Sequence, residues 1–328
     1  MNVLITGGAG YVGSIVTEEL IARGHTTVVF DNLSSGHRQA VPRAACFVQG
    51  DIGDTAIVRR TLVTHQVEAV VHMAAESVIA RSVTNPLLFY KENVAKSLLL
   101  LECAVLVGIR RLVFSSSAAV YGRPARVPIT EDQPTAPVSA YGHSKSMFET
   151  ALRDVYQADG LNSISLRYFN AAGASSTAGE DHPLESHLIP GVLSAMRSPG
   201  GQIELFGTKH ATPDGTCIRD FVHVQDIADA HALALDRLDD IGCAALNIGT
   251  SRGASVLEVV QTARMITGQT VDIVERPPRP GDPAVLVASR ERAESLLGWT
   301  PKRTLPDMVQ SAWEWMLRHP NGYGSMVA

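Results

Sequence analysis

The feature that most constrains the fold is a run of glycines directly after a short apolar stretch at the start of the chain. Residues 2–6 are typical of a buried strand, and Gly7, Gly10 and Gly13 come next in the spacing G-x-x-G-x-x-G where a helix is predicted to begin. Glycines at these positions allow a tight turn whose backbone can approach a pyrophosphate at the helix N-terminus. Because an ordinary structural turn also uses glycine, the interpretation depends on the residues that end the next two strands.

Acidic residues after the next two predicted strands supply that context. Asp31 ends the second strand, where a carboxylate accepts hydrogen bonds from ribose hydroxyls and repels a 2′-phosphate. This favours a dinucleotide cofactor over a structural turn, and NAD over NADP. Asp51 comes after the third strand and is either a cofactor contact or an ordinary loop acid or helix cap.

The first half of the chain alternates short β-branched runs with longer helical patterns, which is typical of a parallel sheet flanked by helices. This order predicts an α/β fold with a doubly wound parallel Rossmann sheet. Loops rich in Gly, Pro, Ser and Asp come after residue 170 and predict a smaller mixed α/β substrate lobe. We therefore expect an NAD-binding domain at 1–169, to which part of 222–250 returns, and a substrate lobe at 170–328. The predicted strands are 2–6, 27–31, 45–49, 69–72, 112–116 and 163–167, and the predicted helices are 11–23, 55–65, 86–107 and 141–157.

Charge and cysteine content exclude several classes of function. A net charge of −5 argues against nucleic acid or an anionic membrane as the main partner, because both require a basic surface. The four cysteines are scattered without a Cys-x-x-Cys pair, so we expect no metal, no disulfide framework and a cytoplasmic location. The apolar runs are too short to predict a membrane span.

Candidate catalytic residues lie at and after the end of the fifth predicted strand. Tyr141 and Lys145 are four residues apart on a predicted helix and therefore share one face. A tyrosine has an ordinary pKa of about 10, so a nearby ammonium and a cationic nicotinamide ring would be needed to make it a base. The serines at 115–117 end the strand, where a hydroxyl can contact a reacting sugar oxygen. Each motif is weak alone, since serines are common in turns and helix faces often carry lysine, but the combination favours proton transfer.

Taken together, these motifs resemble the UDP-glucose 4-epimerase family of extended short-chain dehydrogenases/reductases. The resemblance spans nearly the whole chain and rests on 7–14, 31–33, 50–52, 115–122, 141–145, 167–170, 217–224 and 280–282. It implies that Ser117, Tyr141 and Lys145 are catalytic. It further implies NAD contacts at Gly7, Gly10, Tyr11, Val12, Gly13, Asp31, Asn32, Asp51, Ile52, Met73, Ala74, Ala75, Asn93, Tyr141, Lys145 and Phe169.

The resemblance also implies a UDP-sugar substrate held by the second half of the chain. Arginine is expected there, because its planar fork pairs with phosphate oxygens, although any single arginine is usually a solvated surface charge. The implied substrate contacts are Ser117, Asn170, His187, Leu188, Phe206, Arg219, Arg279, Asp282 and Leu286. Leu286 falls at the position where the family has a residue that borders the sugar site. Alternatively, Leu286 packs in the core of the lobe.

The implied activity is NAD-dependent inversion of C4 in UDP-glucose and UDP-galactose, with UDP-N-acetylhexosamines as possible further substrates. Related 4,6-dehydratases carry an Asp-Glu pair where this chain has Ala118 and Ala119, which cannot transfer protons. Alternatives are epimerisation of a UDP-uronate or UDP-pentose, a net oxidation, or a non-catalytic NAD-binding regulator. The family pairs through two long helices, which here are the predicted helices 86–107 and 141–157, so a homodimer is expected.

Overall fold

A seven-stranded parallel sheet forms the centre of the protein. The computed structural model describes residues 1–182, 187–279 and 283–324. Within these ranges the strands are β1 Asn2–Thr6, β2 Thr26–Asp31, β3 Cys46–Gln49, β4 Ala69–His72, β5 Arg111–Ser117, β6 Asn162–Tyr168, β7 Asn170–Ala172, β8 Gln202–Phe206, β9 Ile218–His223, β10 Cys243–Ile248, β11 Gly253–Ser255, β12 Asp272–Arg276 and β13 Val285–Leu286.

Helices cover both faces of this sheet and fill the region beyond it. In the described parts of the chain they are α1 Tyr11–Ala22, α2 Thr55–Thr64, α3 Ile79–Thr84, α4 Pro86–Tyr90, α5 Lys96–Leu106, α6 Ala140–Asp159, α7 Leu188–Arg197, α8 Val224–Ile241, α9 Val256–Thr267, α10 Glu291–Leu297 and α11 Leu305–Arg318. None of the described helices is both long and apolar enough to cross a bilayer.

The central sheet has the strand order β10-β6-β5-β4-β1-β2-β3, with parallel pairing between all neighbours. The chain builds outward from β1 in one direction, then returns to β4 and builds in the other. Such a reversal leaves a crevice at the carboxyl ends of β1 and β4, where ligands of these sheets bind. The predicted doubly wound fold is confirmed.

Two apolar clusters cover the two faces of the sheet. Residues of α1 and α8, such as Ile15 and Leu235, pack on one face, and residues of α2, α5 and α6, such as Leu62 and Phe148, pack on the other. Strands covered on both sides have no polar face, which explains why the segments 3–5 and 69–71 are continuous apolar runs rather than alternating ones.

The second half of the chain adds a region with two smaller sheets. The strands β7, β9, β11 and β13 form one sheet and β8 pairs with β12 in the other, while α7, α9 and α11 share a third apolar cluster. We call this set of elements the small-sheet region. Its chain returns to the central sheet through α8 and β10, and the division into two domains stays a prediction.

The predicted helix 86–107 differs from the observed structure. Residues Lys91–Ala95 form a π-helical turn between α4 and α5, and this turn contains the buried Asn93. Apolar periodicity predicts which face of a helix is buried, and a single turn that is wider than an α-turn is too short to stand out in that pattern. Such π-turns occur frequently at functional sites.

Candidate active site

The glycine turn joins β1 to α1 with no room for side chains. Gly7 has φ +73°, and a Cβ added there would lie 2.6 Å from the Ala74 nitrogen. A Cβ on Gly13 would lie 2.1 Å from the Gly7 carbonyl oxygen. Gly10 is the N-cap of α1 and provides no side-chain hydrogen bond to the helix. The N-terminus of α1 therefore presents backbone N–H groups in a turn that only glycine permits.

Asp31 is fixed next to this turn by two backbone hydrogen bonds. Its Oδ2 accepts from the Ala9 nitrogen at 3.0 Å and its Oδ1 accepts from the Leu33 nitrogen at 2.8 Å. Burial raises the pKa of this carboxyl, and the two N–H donors oppose that effect. Because each carboxylate oxygen can accept more than one hydrogen bond, Asp31 retains capacity for ribose hydroxyls.

Asp51 lies at the end of the neighbouring strand and belongs to a polar cluster that the sequence did not reveal. Its Oδ2 accepts from Lys96 Nζ at 2.7 Å and from Asn32 Nδ2 at 3.2 Å. Although partial burial acts in the opposite direction, these bonds and the Gly53 N–H lower the pKa of the Asp51 carboxyl. By contrast, the next residue, Ile52, is buried among core residues.

Asn93 ties the segment after β4 to α6, the helix that carries Tyr141 and Lys145. The side chain of Asn93 accepts from the Glu76 nitrogen at 2.8 Å, donates to the Glu76 carbonyl at 2.9 Å and donates to Ser144 Oγ at 3.1 Å. Met73, Ala74 and Ala75 lead from β4 into this contact. The π-turn therefore links the loop after β4 to the residue just before Lys145.

The structure brings Ser117, Tyr141 and Lys145 together. Ser117 ends β5, and its hydroxyl lies close enough to Tyr141, on the first turn of α6, to oppose the effect of burial on the pKa of that tyrosine. Lys145 is 4% exposed, donates to the Ser115 carbonyl at 2.8 Å and has its Nζ 5.7 Å from the centre of the Tyr141 ring. The serine at the end of β5 and the two residues on α6 therefore meet at the same edge of the sheet as the glycine turn.

Burial changes the acidity of both titratable groups in this trio. It lowers the pKa of Lys145 to about 7, against the opposing effect of the Glu149 carboxylate. It raises the pKa of Tyr141 above its ordinary value, while the hydrogen bond with Ser117 acts in the other direction. A proton-accepting Tyr141 therefore needs positive charge in addition to what the surrounding residues provide.

A buried ion pair between Glu149 and Arg167 lies next to the strand and the helix that carry Ser117, Tyr141 and Lys145. Glu149 Oε2 lies 2.5 Å from Arg167 on β6, and Glu149 Oε1 accepts from Ser116 Oγ at 2.5 Å. Arg167 also donates to Tyr121 Oη at 2.8 Å, and Tyr121 donates to Asn247 at 2.7 Å. Sequence reasoning missed this network, although Glu149 is one helical turn beyond Lys145.

The predicted substrate residues lie mostly in the small-sheet region. Arg219 on β9 pairs in register with Leu286 on β13, and Leu286 shares an apolar cluster with Phe169 at the end of β6. The Arg279 guanidinium lies 4.2 Å from the centre of the Phe206 ring. The remaining positions are Asn170 at the start of β7, His187 as the N-cap of α7, and Leu188 at the start of that helix; Asp282 lies outside the described residues.

Comparisons with known proteins identify the family of this chain. Residues 3–249 match the model of the NAD dependent epimerase/dehydratase family. The chain is 44% identical to UDP-glucose 4-epimerase of Lactobacillus helveticus over 98% of its own length and 99% of the relative. It is 40% identical to the UDP-glucose 4-epimerase of Brucella ovis crystallised with NAD, with a TM-score of 0.92 over 95% of this chain and 97% of that one. The enzyme of Bifidobacterium longum in complex with NAD⁺ and UDP is 34% identical, with a TM-score of 0.94 and coverage of 98% and 100%.

We predict that Glu149→Ala lowers the free energy of unfolding by about 3–5 kcal/mol, because Arg167 would remain as an uncompensated buried charge. Denaturant unfolding at neutral pH measures the change. Asp132→Ala is the matched control, since it removes the carboxylate from the exposed pair with Arg126 and should alter stability little. A Glu149→Ala chain as stable as the unmodified protein would show that the network carries no stabilising charge pairing.

Proposed function

Because this chain belongs to the NAD dependent epimerase/dehydratase family and within it to the UDP-glucose 4-epimerases, we propose that it interconverts UDP-glucose and UDP-galactose. The protein is an epimerase, and NAD is its cofactor. The observation that carries the proposed reaction is the meeting of Ser117, Tyr141 and Lys145 at the carboxyl end of β5. This trio can exchange a proton with a sugar hydroxyl while the same sheet edge holds a dinucleotide.

The residues around the crevice fit NAD. The turn at Gly7 and Gly13 excludes a Cβ, so its backbone can approach a pyrophosphate at the N-terminus of α1. Asp31 can accept hydrogen bonds from ribose hydroxyls and would repel a 2′-phosphate. Asp51, held by Lys96, can accept from the adenine amino group. When bound, NAD supplies the acceptor and then the donor of hydride for C4 of the sugar.

Tyr141 takes the proton from the C4 hydroxyl. It returns this proton after the 4-keto sugar has rotated in the pocket and presents its opposite face. Its raised pKa opposes this role in the chain alone, whereas the cationic ring of the oxidised cofactor stabilises a phenolate. Lys145 lies close enough to contribute when it is protonated. Ser117 hydrogen-bonds the same sugar oxygen.

The small-sheet region holds UDP in this proposal. Arg219 and Arg279 pair with the two phosphates through their planar guanidinium groups. Asn170, His187, Leu188 and Phe206 surround the sugar and nucleotide, and Asp282 joins them in the family pattern. Holding UDP while the sugar rotates is what allows hydride to return to the opposite face.

A reducing location fits the same proposal. Four scattered cysteines without a Cys-x-x-Cys pair suit a reducing compartment, so the proposed location is the cytoplasm. A cytoplasmic enzyme would meet soluble UDP-sugars directly.

The decisive experiment measures conversion of UDP-glucose to UDP-galactose by purified protein with no added cofactor. Only epimerisation proceeds without an external oxidant, because the cofactor is regenerated in every turnover. Heat-released dinucleotide should be NAD, without a 2′-phosphate. Turnover that requires stoichiometric NAD would indicate a net oxidation, and conversion only of UDP-uronates or UDP-pentoses would reassign the sugar.

Tyr141→Phe should lower kcat by at least about a hundredfold, the lower range for loss of an acid-base group, and leave UDP-sugar binding largely intact. Ser117→Ala should reduce kcat less. Steady-state kinetics and calorimetric binding of UDP-glucose separate these effects. A Tyr141→Phe enzyme with near-normal kcat would place the base elsewhere, and absence of turnover in the unmodified chain would favour a regulator.

We also propose a homodimer formed through the helices around residues 86–106 and 140–159. Exposed apolar side chains on this side include Leu87, Leu98 and Met147, the last with 48% exposure. Such side chains are costly to hydrate and are typical of a protein interface.

Leu98→Glu or Met147→Glu should therefore shift the sedimentation coefficient from a dimer to a monomer. Met265→Glu is the matched control, because Met265 is 76% exposed on α9 and lies outside the proposed interface. Monomeric unmodified protein at micromolar concentration would refute the dimer.

Sugar selectivity is proposed to depend on Leu286. This partly buried side chain packs against the same apolar cluster as Phe169, a proposed NAD contact, and lies in register with Arg219. Its position thus suits a side chain of the small-sheet region that borders the reacting sugar. Leucine leaves more room than tyrosine, which allows a 2-N-acetyl group.

Leu286→Tyr should lower kcat/KM for UDP-N-acetylglucosamine much more than for UDP-glucose, because a steric wall excludes the larger substrate. Val285→Tyr is the control, since neighbouring strand residues point to opposite faces. Equal losses on both substrates would make Leu286 structural, and no N-acetyl activity in the unmodified enzyme would eliminate the wider specificity.

A further inference from the structure

Three side chains with metal-ligating atoms meet where the chain leaves β7 and approaches α7. Glu180 and His182 precede residues 183–186, which lie outside the described ranges, and His187 comes directly after them. Glu180 Oε1 lies 2.6 Å from His187 Nδ1 and 3.2 Å from His182 Nδ1. One ligand atom from each of the three residues lies within 4.8 Å of the other two.

The three side chains of this cluster differ in how far they are buried. The Glu180 side chain is 7% exposed, while that of His187 is 49% exposed. The Nδ1 atoms of two imidazoles face this carboxylate. A buried carboxylate is costly unless positive charge or strong hydrogen bonds compensate it. A cation bound among the three groups would supply the charge and would have an open side towards solvent.

The donor set selects the type of cation. Two imidazole nitrogens and one carboxylate oxygen are ligands that Zn²⁺ accepts, whereas Mg²⁺ and Ca²⁺ prefer oxygen ligands alone. Tetrahedral zinc with bonds of about 2.0–2.1 Å places its ligand atoms about 3.3 Å apart. The Glu180 to His182 separation already matches that spacing, and the Glu180 to His187 separation would have to increase by less than about 1 Å.

We propose that Glu180, His182 and His187 form a zinc site. Both histidines would bind through Nδ1 as neutral imidazoles with the ring proton on Nε2, and water would complete the coordination. Because protonated imidazoles cannot ligate, affinity falls as the pH is lowered through their titration range. The cysteine pattern gave no indication of such a site, since Glu-x-His-x₄-His contains no thiol.

The site would fasten the segment after β7 to the N-terminus of α7. This segment already contacts the first turn of α1, because Tyr11 Oη donates to the Gly173 carbonyl at 2.5 Å and the Tyr11 ring meets the His182 ring edge-on at 6.4 Å. Zinc would also fix the orientation of the His187 ring. An effect of zinc on UDP-sugar binding would follow only if His187 contacts the substrate, as the proposed function states.

The test measures zinc directly, without substrate, so its failure is separate from failure of the proposed reaction. Purified full-length protein is stripped with a chelator, incubated with zinc chloride, desalted and analysed for metal content. We expect one bound zinc per chain and a cobalt(II) derivative with a tetrahedral absorption spectrum. Affinity comes from competition with a chromophoric chelator.

Glu180→Gln and His182→Gln should each weaken zinc binding by more than about a hundredfold, beyond the usual loss when only an outer partner of a ligand is removed. His65→Gln is the matched control, because His65 caps α2 far from the cluster in sequence and fold and should leave affinity unchanged. Circular dichroism confirms that each variant is folded. Substoichiometric zinc in the unmodified chain, an octahedral cobalt spectrum, or equal affinities for the variants and the control would each overturn the proposal.

Discussion

The close approach of β1 and α1 is the constraint on which the rest of the structure depends. Gly13 packs so tightly over Gly7 that even a methyl group would meet the Gly7 carbonyl oxygen at 2.1 Å. That contact sets the position of the N-terminus of α1 at the carboxyl end of β1, next to the point where the strand order reverses. The crevice, the carboxylate of Asp31 and the loop after β4 are all arranged around this turn.

The candidate catalytic residues lie on a second unit, which is formed by β5, β6 and α6. The buried pair of Glu149 and Arg167 ties the helix that carries Tyr141 and Lys145 to the neighbouring strand. Burial disfavours the charged forms of Tyr141 and Lys145, which is the opposite of what proton transfer requires. A cationic cofactor bound in the adjacent crevice would favour the phenolate of Tyr141, because a nearby positive charge stabilises it. In the proposed reaction, Tyr141 would therefore act as a base when the dinucleotide is bound.

The sequence by itself determined the features that depend on local spacing. Apolar runs separated by helical patterns predicted the parallel sheet, the glycine spacing predicted the turn, and the four-residue interval predicted that Tyr141 and Lys145 share a helix face. The family resemblance, confirmed by the comparisons, extended this to the activity and the cofactor. These inferences held because each depends on residues close together in the chain or on motifs of fixed length.

Tertiary structure alone decided the features that depend on distant segments. The π-turn at Asn93, the partnership of Lys96 with Asp51 and the gathering of Glu180, His182 and His187 have no periodic signal. Glu149 lies one helical turn from Lys145, yet its partner Arg167 is on another strand. The shifted pKa values of Tyr141 and Lys145 likewise arise from burial by residues remote in sequence. Burial and long-range pairing are properties of the packed chain, so local sequence patterns carry no record of them.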